Sequence, residues 1–129
     1  MTGETDLARL LATMSPELRG RDWGYTTTDH APAGLTPFAT VTEDEGITLI
    51  APYAELAALG LNPQGPMARI TLTVHSALEA VGLTAAVSSA LASKGISANM
   101  VAGFYHDHIF LPAADADRAF AVLKDLTHA

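Results

Sequence analysis

The segment Ala68-Arg-Ile-Thr-Leu-Thr-Val74 sets Ile70, Leu72 and Val74 on one face and Arg69, Thr71 and Thr73 on the other. A period of two marks a strand with one buried side. From Leu83 the period changes. Leu83, Ala86, Val87, Ala90 and Leu91 recur at helical spacing, with Thr84, Ser88 and Ser89 turned away. Lys94 falls in the last turn and Gly95 just past it, where a left-handed closing residue is wanted, and Ile96 folds back onto the helix. A loop from His75 to Gly82 joins the strand to the helix. A second strand from Asn99 to Tyr105, a His106-Asp107-His108 turn and a third strand, Ile109-Phe-Leu111, complete a β-α-β-β run.

Working outward, Asp115 or Asp117 opens a last helix, where an acidic residue favours the positive end. Its apolar stripe is Ala116, Ala119, Phe120, Val122, Leu123 and Leu126. In the other direction, Asn62-Pro-Gln-Gly-Pro66 reads as a linker between two halves of similar size. Before it, Thr5 or Asp6 caps a short helix with a stripe of Leu7, Leu10, Leu11 and Met14, and Ser15-Pro16 ends it. Residues 19–22 read as a polar link. Trp23 to Thr28 alternates as a strand of aromatic and β-branched residues, and the proline-bearing stretch from Asp29 to Pro37 is a loop. Phe38 to Thr42 and Ile47 to Ile50 are strands joined by Glu43-Asp44-Glu45-Gly46. Pro52 suits the start of a short helix in which Leu56 and Leu59 face inward and Gly60 closes the end.

This order of elements, with Gly82-Leu-Thr-Ala-Ala-Val, Lys94-Gly-Ile-Ser-Ala-Asn99 and His108-Ile-Phe-Leu-Pro112, resembles the ACT domain. Phe38-Ala-Thr-Val-Thr-Glu-Asp-Glu-Gly-Ile-Thr-Leu-Ile50 carries the resemblance more loosely. The resemblance implies an α+β fold: two ferredoxin-like βαββαβ halves, at residues 1–62 and 67–129, with antiparallel sheets and helices packed on one face. It implies a non-catalytic regulatory module that senses an amino acid or related metabolite, without a cofactor. Carried over residue by residue, the pocket comprises Val81, Gly82, Leu83 and Thr84, together with Ile96, Ser97 and Asn99. A glycine at a helix start suits this role, since free backbone N–H groups there attract a carboxylate. The family's pattern has an acidic residue and a proline before this glycine, where this chain has Glu79-Ala80-Val81. Neither half is complete as a βαββαβ module. The first has a loop where a helix belongs, and the second lacks a final strand. Either the halves share one sheet and exchange edge strands, or a second chain completes it.

Composition narrows the class. Of 129 residues, 49% are hydrophobic and 16% charged, enough apolar residues for a core and few charges to cover the surface. That balance points to a homo-oligomer, most simply a two-fold dimer. Net charge is −7, which excludes a phosphate-neutralising nucleic-acid binder and disfavours anionic membranes. Residues 1–66 carry nine acidic and three basic side chains, while residues 67–129 carry five and four, so the acidity belongs to the first half. Without cysteine there is no disulfide, thiolate site or cysteine nucleophile. The absence of a basic-then-apolar leader and of a ~20-residue apolar run leads us to expect a cytoplasmic protein.

Two further clusters carry chemistry in principle. His106, Asp107 and His108, with His75, are ligand types for zinc and define an alternative reading as a small metal-dependent enzyme. Against it stands a solvated hairpin turn. Glu43-Asp44-Glu45 is a paired-carboxylate cluster that reads as a solvated tip. A third alternative is an assembly module without ligand. No phosphate-binding glycine loop is present.

Overall fold

The computed structural model describes residues 6–74 and 81–128. They divide into two compact units: unit 1, Met1–Gly20 with Ala68–Ala129, and unit 2, Arg21–Met67. The first twenty residues therefore belong with the C-terminal half, and the unit boundary falls at Met67 and Ala68.

Unit 1 begins with helix α1, Leu7–Thr13, whose N-cap Asp6 accepts a hydrogen bond from the Arg9 N–H. Strand β1, Pro16–Leu18, follows and pairs antiparallel with β5, Gln64–Leu72, in the register Pro16↔Leu72 to Leu18↔Ile70. Residues 16–18 carry no strand signal in the sequence, because three residues are too few to show a period. The stretch Gln64-Gly-Pro66, expected to be linker, is instead the opening of β5. Helix α3, Leu83–Ser93, leads to β6, Asn99–Ala102, then β7, Asp107–Pro112, a 3-10 turn at Ala113–Asp115, and α4, Ala116–Thr127. The strand order is β1-β5-β7-β6. This is the order of a ferredoxin-like βαββαβ module whose fourth strand is supplied by β1.

Its core follows the predicted periods. Ile70 and Leu72 of β5, Ile109 and Leu111 of β7, Leu83, Val87 and Leu91 of α3, and Ala116, Ala119 and Leu123 of α4 are buried together with Leu10 and Met14. Gly95 has φ +72 and Ile96 is buried, as the closing motif requires.

Unit 2 contains β2, Trp23–Thr28; β3, Ala39–Glu43; β4, Gly46–Pro52; helix α2, Tyr53–Ala58; and the first residues of β5. Its strand order, β3-β4-β2-β5, is again the ferredoxin-like one. The loop at residues 29–38 stands where the first crossover helix would be. The core is small: Leu49, Ala51 and Leu56, flanked by Leu35, Ile47 and Leu61. Leu59, expected inward, is 47% exposed, because α2 stops at Ala58 and Gly60 turns the chain with φ +72.

Candidate functional site

The predicted pocket residues lie on unit 1. Gly82 is the N-cap of α3, with φ +101, and its carbonyl accepts from the Ala86 N–H at 2.8 Å. No side chain among the described residues caps this helix. Its first-turn N–H groups therefore point outward with the positive end of the helix dipole. Val81 is 82% exposed, Thr84 is exposed, and Leu83 is buried in the core. Glycine at 82 has a packing reason of its own. A Cβ there would sit 3.1 Å from Leu7 Cδ2, and φ +101 is a region that L side chains rarely adopt. The remainder of the preceding loop, His75 to Ala80, lies outside the described residues.

Ile96, Ser97 and Asn99 sit beyond the other end of α3. All of α3 after Thr84, nine helical residues, separates the groups, about 14 Å at 1.5 Å per residue. The Ile96 side chain is core and its N–H donates to the Leu91 carbonyl at 3.0 Å; Ser97 is exposed. Asn99 opens β6, the terminal strand of the order, opposite Phe110. Its Nδ2 donates to the Phe110 carbonyl at 3.2 Å, leaving Oδ1 and the second amide hydrogen for other partners. The seven residues thus form two groups, and no amino-acid-sized molecule spans both in one copy.

Two residues with exposed aromatic rings escaped sequence reading. The strand expected to reach Tyr105 stops at Ala102, and Phe104 and Tyr105 lie in the turn, 66% and 62% exposed, with ring centroids 5.1 Å apart. His106 Nδ1 lies 3.4 Å from the Val74 carbonyl, which places this turn at the end where β5 runs out. That is also the end from which the chain leaves for α3. Adjacent aromatics beside Gly103 were the available signal, but β propensity pulled them into the strand.

The histidine turn is corrected as well. Asp107 and His108 belong to β7, and the turn is closed by the Gly103 N–H donating to the His106 carbonyl at 2.9 Å. His108 Nδ1 lies 3.0 Å from Thr71 Oγ1. Burial, then the charges of Arg69, His106 and Arg19, push the His108 pKa down to about 4. Those charges oppose any cation. Among the described residues no group of three His, Cys, Asp or Glu is arranged to hold a metal ion, and His75 lies outside them. Glu43, Asp44 and Glu45 are exposed at the β3–β4 hairpin, where Glu43 accepts from the Thr48 hydroxyl.

Unit 2 offers two open cavities. One of about 280 Å³ is lined by Ala33, Gly34, Leu35, Glu55, Ala58 and Leu59, between the 29–38 loop and α2. The other, about 270 Å³, is lined by Tyr25, Thr26, Thr27, Thr48, Asn62 and Gln64.

Strand order and helix placement define a tandem of ferredoxin-like modules, and comparison with known proteins identifies the modules. Family models described as ACT domain match residues 2–68 and 68–125. The chain belongs to the ACT-domain family, a family of regulatory ligand-binding modules. It is similar to a Vibrio cholerae protein described as of unknown function and a possible transport protein. The identity is 44%, covering 94% of this chain and 95% of that one, with a TM-score of 0.85. An Agrobacterium tumefaciens protein shares the fold at 16% identity, 87% coverage of each chain and a TM-score of 0.73. So does the ligand-free regulatory subunit of aspartate kinase from Thermus thermophilus, at 13% identity, 89% and 97% coverage and a TM-score of 0.66. No curated protein matches. Among the described residues no helix is long and apolar enough to cross a membrane.

Proposed function

We propose that this protein is a non-catalytic regulatory module that binds an amino acid between two copies of unit 1. The observation that carries the reading is the separation of the two groups of pocket residues by the length of α3. A ligand that uses both must take Val81 to Thr84 from one copy and Asn99 from the next. β6 is the terminal strand of its order, so it is the edge open to such an approach. The α-carboxylate sits on the first-turn N–H groups of α3, and the Asn99 amide holds the polar end. Phe104 and Tyr105, exposed in the turn beside the end of β5, give an apolar side chain a surface to cover. Each charge-assisted bond contributes roughly 1.5–3 kcal/mol. The fold resemblance to aspartate kinase regulatory subunits supports the regulatory reading.

A thermal-shift screen of the twenty amino acids tests it. A ligand at ~100 times its dissociation constant adds roughly 2.7 kcal/mol if it binds only the folded state. Asn99→Ala should weaken the binding of the amino acid found without unfolding the protein, and light scattering should show a dimer that the ligand stabilises. If no amino acid shifts the melting temperature, the protein is an assembly module and Gly82 serves only packing.

A further inference from the structure

The sheet of unit 1 has two faces. Ile70, Leu72, Ile109 and Leu111 turn toward the helices. The alternate residues, Arg69, Thr71 and His108, lie on the opposite face, with Glu17 in the middle of β1 and Arg19 just past its end. We infer that this opposite face carries a second site, for a small oxyanion, built by Arg19 and Arg69 over Thr71 and His108.

The backbone places the two arginines side by side. The β1–β5 register, extended one step past Leu18↔Ile70, brings Arg19 beside Arg69, where the Arg19 N–H donates to the Arg69 carbonyl at 2.7 Å. The Arg69 N–H in turn donates to the Gly20 carbonyl at 3.0 Å. Like charges on neighbouring strands destabilise a sheet, and here one of the two is half-buried. Glu17 holds Arg19 through Nε at 3.1 Å and Nη2 at 2.6 Å, at the edge of this positive cluster. Asp107, next to His108 along β7, alternates toward the other face. Thr71, opposite Glu17 and two residues along β5 from Arg69, is 1% exposed and its hydroxyl is tied to His108, so the floor beside the arginines is polar and fixed.

The electrostatic signature agrees. The Arg69 pKa is lowered by burial and by Arg19, and the His108 pKa is lowered by burial and by charges that are all positive. In a chain of net charge −7 this is a concentration of positive charge on one small area. Paired guanidinium forks match phosphate and carboxylate oxygens in geometry. A bound anion relieves the repulsion that the register imposes, and local rules are broken in this way where a site is built. The ligand class is a small molecule bearing a phosphate ester or two carboxylates. The site stands on different residues and a different face from the amino-acid pocket proposed above, so either can fail alone.

Calorimetric titration of the intact protein at low ionic strength, with inorganic phosphate in one arm and malonate in the other, tests the site. NMR of His108 is recorded alongside. Saturable binding of either probe is expected, weakened about tenfold or more in both Arg19→Gln and Arg69→Gln. The His108 pKa should rise from about 4 at saturation, because an anion stabilises the imidazolium. Phosphate binding assigns a phosphate ester, and malonate binding alone assigns a dicarboxylate. Arg19 is exposed, so Arg19→Gln remains folded and decides the matter even if Arg69→Gln does not. Absence of binding by both probes, binding unchanged in Arg19→Gln, or a His108 pKa indifferent to the anion overturns the inference.

Discussion

Units 1 and 2 have the same strand order and different helix layers. Unit 1 covers its sheet with α3 and α4, of 11 and 12 residues, and adds α1. Unit 2 has the six-residue α2 and a loop in place of the other helix. Among the described residues the first core holds fourteen buried hydrophobic side chains and the second three. Strand pairing thus maintains the module in unit 2 where the helix layer is small. Strand β5 runs through both units. Its opening residues pair with β2, at Tyr25↔Gln64 and Trp23↔Met67, and its end pairs with β1. One strand is thus the fourth of unit 2 and the first of unit 1.

The largest effect should come from cutting the chain within that strand. Residues 68–129 expressed alone lose β1 and α1, including the fully buried Leu10 and Met14, and should show no cooperative thermal transition. Joining residues 1–20 to the C-terminus of that fragment through a flexible linker restores the fourth strand and should recover the transition. A cooperatively folded 68–129 fragment without them would break the comparison.

Next come the cores. Leu91→Ala in unit 1 should cost about 3–5 kcal/mol in urea unfolding, because its neighbours on α4 and the sheet cannot close the cavity. Leu56→Ala, in a cluster of three flanked by half-buried residues, should cost nearer 2 kcal/mol, because that site relaxes more easily. Equal costs would mean that the smaller core is as rigid as the larger. Gly82→Val should cost about 1–3 kcal/mol through its φ and its approach to Leu7, measured with no ligand present. Asp6→Ala removes the cap of α1 and should cost about 1 kcal/mol by the same assay.

The smallest effect is a slope. His108 has a folded pKa of about 4, below its ordinary 6.5. Between these values the unfolded chain holds a proton that the folded chain does not, so this contribution is full above about pH 6.5 and is lost as pH falls toward 4. The group is half-exposed and the slope correspondingly modest. His108→Gln should flatten the stability profile in that window, as followed by denaturant midpoints at successive pH values.

Much of unit 1 was legible because its elements are long enough to show their periods. Ile70 and Leu72 alternate, and Leu83, Val87 and Leu91 repeat at helical spacing; all five are buried. Trp23–Thr28 matched its expected strand for the same reason. Short or locally ambiguous pieces were not legible. Pro16–Leu18 has no period to read, Gln64–Pro66 has the composition of a linker, and Phe104-Tyr105 has strand propensity in a turn. The candidate site residues were named from the family resemblance, and spacing along the chain does not say that α3 keeps Gly82 and Asn99 apart.

The sequence by itself determined the buried faces and the glycine that opens α3, because these follow from local periodicity and backbone preference, while its resemblance to the ACT domain implied the α+β class and the tandem of two modules. Only the tertiary structure decided which segment supplies the missing fourth strand, and that β5 serves both units. It alone set Arg19 beside Arg69 and His108 against Thr71. These are pairings between residues far apart in the chain, and their free energy comes from register and burial, which no local pattern encodes.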